Sequence, residues 1–328
     1  MRLGGNAAYL VEINDRHELV EAYEWAQNNK LPVLMIGGGS NIIWRDEGFP
    51  GLVMVNHILG YEEQEEDAEN VYIHVGSGEN WDAVVARAVQ KGLSGIEALS
   101  LIPGTAGATP IQNVGAYGQE VSQTIVSIEA YDSQNKQFVT LQGMDCGFSY
   151  RNSRFKSTDR GRFFITGLTF HLLRNNPQPP FYRALESYFE EHQITNPTPQ
   201  VIRDAVISIR QAKLPDPAKV ANNGSFFANP IIDEGTFAQI QADYPGAPHW
   251  ATEDGRIKLP AAWLLEQAGF KNVHDAETGM ATWPQQPLVL INEKAQNTAQ
   301  LLAFRQKIVE TIKEKFDITL TQEPELLP

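Results

Sequence analysis

From Pro103 to Gly118 the chain reads Pro-Gly-Thr-Ala-Gly-Ala-Thr-Pro-Ile-Gln-Asn-Val-Gly-Ala-Tyr-Gly, with glycines at 104, 107, 115 and 118 and almost no bulky side chain. Such a stretch can supply little to a core, but its backbone can adopt positive φ and approach a bound group closely. A second glycine run, Gly37-Gly38-Gly39 followed by Ser40 and Asn41, comes directly after the apolar segment 31–36, a predicted buried strand. Either loop alone reads as a structural turn. The pair favours a nest of inward-pointing N–H groups for the pyrophosphate of a nucleotide or flavin. A dinucleotide fingerprint of the Rossmann kind opens a helix after its glycines, whereas residues 42–44 and 52–55 read as further strands, so that fold is set aside.

Composition narrows the function classes. The 26 Lys+Arg against 40 Asp+Glu leave a formal net charge of −14, which repels polyanions and argues against a nucleic-acid or membrane-surface partner. A single cysteine, Cys146, allows no internal disulfide and no thiolate-rich metal site. The seven histidines are dispersed, and no metal is expected. The N-terminus lacks the apolar core of a signal peptide and no segment is apolar for long enough to span a bilayer, so a cytoplasmic location is expected. With 42% hydrophobic residues over 328 positions, the chain has the material for two or three domains.

Helical periodicity and capping signals predict helices over 16–29, 79–90, 184–192, 200–214, 233–243, 260–268 and 298–316. Strands are predicted over 31–36, 42–44, 52–55, 71–75, 125–131, 136–141, 163–172, 288–291 and 318–320. The acidic stretch 62–69 reads as a solvated loop at a domain junction. The middle of the chain is mixed α+β, and a final strand–helix–strand unit follows the Pro215-Asp216-Pro217 break.

No Walker loop, zinc-helix motif, cysteine pair or nucleophile elbow is present. Three other positions could carry chemistry. Arg151, in Tyr150-Arg151-Asn152-Ser153, sets a guanidinium among aromatic and small polar residues; an interdomain salt bridge is the plainer explanation. Ser225, between Gly224 and Phe226-Phe227, has its hydroxyl in apolar surroundings on a constrained turn, where it could equally be a cap. Glu325 sits in Glu323-Pro324-Glu325, where an ordinary tail would fray.

Taken together, Pro32–Asn41, Ile102-Pro103-Gly104, Ile111–Gly118, Tyr150–Phe155, Lys213–Pro217, Asn223–Pro230 and Glu323–Glu325 resemble the ordered motifs of the UDP-N-acetylenolpyruvoylglucosamine reductase family, flavoenzymes of bacterial cell-wall precursor synthesis. The resemblance spans nearly the whole chain, although relatives usually carry residues ahead of the Arg2-Leu3-Gly4-Gly5 match and beyond Glu325. It implies an α+β chain with a vanillyl-alcohol-oxidase/PCMH-type FAD-binding fold of two α+β subdomains, 1–59 and 60–214, and a C-terminal α+β substrate-binding domain, 215–328. It also implies noncovalent FAD, since the first loop holds no histidine, lined by Gly37, Gly38, Gly39, Ser40, Asn41, Pro103, Gly104, Gly107, Ala108, Gln112, Asn113, Gly115, Ala116 and Tyr117.

By the same resemblance NADPH reduces FAD, and hydride then passes to the enolpyruvyl methylene carbon of UDP-N-acetylglucosamine enolpyruvate, giving UDP-N-acetylmuramate. Ser225 would protonate the substrate α-carbon, and Arg151 with Glu325 would polarise its carboxylate and stabilise the enol. Tyr182, Lys213, Asn229, Lys271 and Gln286 fall on positions that line the UDP-sugar, with Lys213 also a candidate to help Ser225 ionise. A Tyr182 loop near 175–192 together with a serine acid matches the family's first type, in which the tyrosine covers the diphosphate. The expected partners are small molecules only, bound by a monomer. Another flavin oxidoreductase of this fold, or a nonenzymatic UDP-sugar-binding protein, is the alternative.

Overall fold

In the computed structural model, which describes residues 1–328, the helix Arg16–Asn28 forms where its periodicity predicts. Asp15 fixes its start by accepting the Glu18 N–H at 2.8 Å. The helix lays Leu19, Tyr23 and Ala26 against Ile13, Leu52 and Met54 of a three-stranded sheet. In that sheet Phe49–Asn56 lies between Ala7–Ile13 and Val33–Ile36, running parallel to the latter. Asn80 caps the helix Trp81–Gln90 in the same way, through the Ala83 N–H.

The chain divides into two units: Ala7–Gly39 with Pro50–Arg210, and Met1–Asn6 with Ser40–Phe49 and Gln211–Pro328. At the centre of the first is an antiparallel five-stranded sheet, in the order Gln137–Gln142, Ile125–Asp132, Phe163–Leu173, Asn70–Gly76 and Tyr61–Glu65. Its core gathers Ile73, Val75, Ile128, Leu168 and Phe170 with Trp81, Val85 and Val89 of the helix. Helices Arg183–Glu191 and Pro199–Lys213 share a smaller cluster around Leu185, Phe189, Ile202 and Val206. Arg203 joins this pair to the main core by a bidentate bridge to Asp82 at 2.7 and 3.0 Å.

The second unit has an antiparallel sheet ordered Asn222–Ser225, Gln286–Asn292, Met280–Trp283 and His274–Asp275. Helices Ala261–Gln267 and Thr298–Phe316 bury Leu264, Leu265, Phe304, Ile308 and Ile312 against it. No helix is long and apolar enough to cross a membrane.

Several expectations are corrected. Residues 40–49, expected in the first FAD subdomain, lie in the C-terminal unit, because Ile42–Trp44 pairs in parallel with Glu325–Leu327 and Ile43 is buried in that unit's core. Only the second half of the acidic stretch is a loop: Tyr61–Glu65 is an edge strand paired with Asn70–Gly76, and residues 66–69 make the turn between them. Ile318 and Leu320 are buried but join no ladder, and the last strand comes instead at Glu325. The glycine-rich loop, expected to supply little to a core, buries Ala106 completely.

Asp132, at the end of its strand and only 2% exposed, gives the first unit an acid-sensitive tie. Arg162 donates to its two carboxylate oxygens at 3.0 and 2.6 Å and holds its pKa down to about 2. A carboxylate whose pKa is depressed on folding contributes stability that is fully present above the unfolded value of about 4 and is lost as pH falls through the folded one. Asp132→Asn is therefore expected to lower Tm at neutral pH and to narrow its deficit relative to wild type between about pH 4 and pH 2. Melting curves across that range check this, and a constant deficit at all pH values would contradict it.

Candidate active site

The glycine-rich loop is tied down residue by residue. The Gly107 N–H donates to the Ser77 carbonyl at 2.8 Å, and a β-carbon on Gly107 would lie 2.6 Å from the Ser77 Cβ. One on Gly37 would lie 2.2 Å from the Thr105 Oγ1, and one on Gly38 would reach the Gly104 Cα at 3.4 Å. The two loops thus meet backbone to backbone at Gly38 and Gly104, with the Thr105 side chain against Gly37, a cradle that further side chains would fill. Asn113 and Tyr117 sit in the left-handed region at φ 48° and 47°. This arrangement fits the pyrophosphate of a flavin, which needs close backbone approach and free N–H directions more than side-chain charge.

Further along, Pro103 and Gly104 precede a short 3₁₀ turn, Ala106–Ala108, and Gly115–Ala116 forms a two-residue ladder with Gln119–Glu120. Asn113 cross-braces this ladder: its Nδ2 donates to Glu120 at 2.7 Å and to the Ser149 carbonyl at 3.2 Å, and its Oδ1 accepts from the Ser122 N–H at 3.1 Å. Gln112 is half-buried beside it. Ser153 Oγ donates to the Ile111 carbonyl at 2.7 Å.

These bonds bring Arg151 to the loop. Its Nη2 donates to the Gly115 carbonyl at 2.9 Å, its guanidinium lies 5.1 Å from the Tyr150 ring centroid, and its backbone adopts φ 54°. A non-glycine residue held at positive φ costs energy and persists where its surroundings over-determine it. Cys146, nearby in sequence, takes no part: it is fully buried, and burial pushes its thiol up to about 11.

Ser40, Asn41, Ser225 and Glu325 assemble separately, in the C-terminal unit. Gly224 turns at φ 69°, and Ser225 follows it in register with Val289, while Phe226 and Phe227 are buried to 0% and 1% exposure. Asn223 Nδ2 donates to the carbonyls of Ser40 and Ile42 at 3.1 and 3.0 Å. The Glu325 N–H donates to the Asn41 carbonyl at 2.9 Å. Beyond Ser225 the tail runs alongside, with Glu323 N–H donating to Phe226 and Ala228 N–H to Thr321. The serine turn, the end of the first glycine loop and the C-terminal glutamate are thereby fixed to one another.

The expected UDP-sugar residues lie on separate elements. Asn229 Oδ1 accepts the Ala261 N–H at 2.9 Å. Lys271 is 60% exposed and pairs with Glu266 at 3.0 Å. Gln286 opens the strand Gln286–Asn292, and Lys213 is the exposed last residue of its helix. Tyr182, in the first unit, caps the helix Arg183–Glu191 and sets its ring edge-on to Tyr117 at 5.8 Å.

Sequence reasoning missed Ser77 and Thr105, which close the cradle, and the tethering role of Asn223. The bulk-free neighbourhood of the glycines signals that something must pack there but not what; Asn223 had no sequence signal beyond its place in the Asn-Gly-Ser motif.

Comparison with known proteins identifies the family. Residues 7–140 match the family model described as an FAD binding domain, and residues 216–327 match the model of the UDP-N-acetylenolpyruvoylglucosamine reductase C-terminal domain. The UDP-N-acetylenolpyruvoylglucosamine reductase of Ralstonia nicotianae is 38% identical over 98% of this chain and 94% of that protein. The enzyme of the same name from Porphyromonas gingivalis is 40% identical over 89% of this chain and 85% of its own length. The crystal structure of UDP-N-acetylenolpyruvylglucosamine reductase from Thermus caldophilus covers 97% of this chain and 92% of its own, with a TM-score of 0.65 at 20% identity, a likeness of fold. The chain therefore belongs to the UDP-N-acetylenolpyruvoylglucosamine reductase family of FAD-dependent oxidoreductases.

Proposed function

We propose that the protein reduces UDP-N-acetylglucosamine enolpyruvate to UDP-N-acetylmuramate with NADPH, a step in peptidoglycan precursor synthesis, and that it does so as a cytoplasmic monomer. The observation that carries this reading is that Asn223, two residues before Ser225, bonds the Ser40 and Ile42 carbonyls while the Glu325 N–H bonds the Asn41 carbonyl, so the turn bearing Ser225 and the strand bearing Glu325 are held to one segment, 40–42. Neither side chain is needed simply to hold a flavin.

Bound FAD supplies the two-electron carrier between NADPH and the sugar. Gly37, Gly38, Gly104 and Gly107 would hold its pyrophosphate against backbone. The protein's own groups then have a defined task. Hydride addition at the methylene carbon leaves enolate-like charge on the carboxylated carbon, which calls for a fixed cation and a proton donor. Arg151, permanently charged, would stabilise that charge on the substrate carboxylate, with Glu325 polarising the same group. The Ser225 hydroxyl would give its proton to the α-carbon and Lys213 would favour its ionised state. Tyr182, Asn229, Lys271 and Gln286, together with Lys213, would bind the UDP-sugar, each charge-assisted bond contributing about 1.5–3 kcal/mol. Such local contacts outweigh remote surface carboxylates, which are screened beyond about 8 Å.

Steady-state NADPH oxidation tests the substrate. Oxidation that depends on UDP-N-acetylglucosamine enolpyruvate supports the proposal. Equal oxidation without the sugar would assign the protein to another flavin oxidoreductase activity, and sugar binding with no oxidation at all would make it a binding protein.

A further inference from the structure

Glu97 is 1% exposed and is held by hydrogen bonds rather than by a cation. Burial raises its pKa, so a carboxylate kept there needs those bonds to offset its lost hydration. The Gly95 N–H donates to one oxygen at 2.6 Å, and Gln119 Nε2 donates to the other at 2.8 Å. Gln119 Oε1 in turn accepts the Ala98 N–H at 2.8 Å, so the 3₁₀ turn Glu97–Leu99 grips both ends of the Gln119 amide. Every donor in this set faces an acceptor.

Gln119 is where the glycine-rich loop turns back on itself. Its backbone pairs with Ala116 and that of Glu120 with Gly115, and the two residues between, Tyr117 and Gly118, sit at φ 47° and 86°. Two-residue hairpins with positive φ at both central positions favour Asn-Gly or Gly-Gly, and a tyrosine at the first of them is strained. Contacts of the flanking residues must offset that strain. Asn113 braces the Glu120 side chain, and Glu97 holds that of Gln119.

We propose that Glu97 is a positioning residue for the FAD site, its carboxylate fixing Gln119 and with it the hairpin that presents Gly115, Ala116 and Tyr117 to the flavin. This rests on the reading of those three residues as flavin-lining. Glu97 acts through Gln119 and need not touch the cofactor.

Hydrogen exchange and flavin release, both on the FAD-loaded protein, test it. Glu97→Gln keeps the shape of the side chain but puts a donor where the set needs an acceptor, so however the two amides are flipped one N–H meets another. It is expected to speed amide exchange across 115–120 severalfold at saturating FAD and to raise the Kd for FAD about tenfold, the scale of one hydrogen bond to a charged group. Gln119→Met, at a half-buried position, removes the same link without altering the buried carboxylate and should shift both readouts the same way. Combining Glu97→Gln with Gln119→Glu restores the match, since the new amide donates to the new carboxylate, which still accepts from Ala98; both readouts should return to within about twofold of wild type. Unchanged exchange in the single variants would overturn the inference wherever the flavin sits, as would the absence of recovery in the double variant. Faster exchange with wild-type FAD affinity would mean that the hairpin lies away from the flavin, overturning the reading on which the inference rests and the inference with it.

Discussion

Ser225→Ala is expected to leave reduction of the bound flavin by NADPH at its wild-type rate while slowing formation of UDP-N-acetylmuramate by about 10²–10⁴-fold, the usual contribution of a positioned proton donor. The turn that carries Ser225 is fixed by Gly224 at positive φ, by the Phe226 N–H bond to Leu288 at 2.8 Å and by two buried phenylalanines, none of which involves the hydroxyl. Fold and flavin site should therefore survive, separating the two half-reactions. Stopped-flow traces of each one check this. A variant that forms product at the wild-type rate would remove Ser225 from the mechanism and move the acid to another group.

Gly107→Ala is expected to weaken the protein's hold on flavin. The new Cβ would lie 2.6 Å from the Ser77 Cβ and 3.0 Å from the Ser77 carbonyl oxygen, the same oxygen that accepts the Gly107 N–H. Neither is the end of a flexible side chain, so the loop itself must shift. Overpacking of this kind costs about 1–3 kcal/mol, or roughly 5- to 150-fold in FAD affinity if the strain is released only when the flavin leaves. FAD titration followed by fluorescence quenching measures this directly. Wild-type affinity in Gly107→Ala would mean that the loop does not line the cofactor.

How much of this was legible in the sequence depended on how local the determinant was. Helix Arg16–Asn28 follows from Asp15, Glu18 and the Leu19–Tyr23–Ala26 face, all within one segment. The strand Tyr61–Glu65 was read as a loop because its glutamates look mutually repulsive. The cations that compensate them come from elsewhere: Lys91 pairs with Glu63 and Arg174 with Glu65, each at 2.6 Å, and Arg87 lies over the Tyr61 ring at 3.7 Å. Likewise the transfer of residues 40–49 to the C-terminal unit depends on a strand 283 positions further on, Ile42 pairing with Glu325. The glycine loops and the candidate residues Arg151, Ser225 and Glu325 stood out through their motifs. The tether from Asn223 to Ser40 and the ring contact of Tyr117 with Tyr182 did not, because each links residues that sequence spacing leaves unrelated.

The observation that decides whether these parts form one reductase is the visible spectrum of the FAD-loaded protein, recorded anaerobically as NADPH and then UDP-N-acetylglucosamine enolpyruvate are added. Flavin bands that bleach with NADPH and return in proportion to the sugar added are the predicted result. Bleaching that persists after the sugar, or a protein that takes up no FAD, would contradict it.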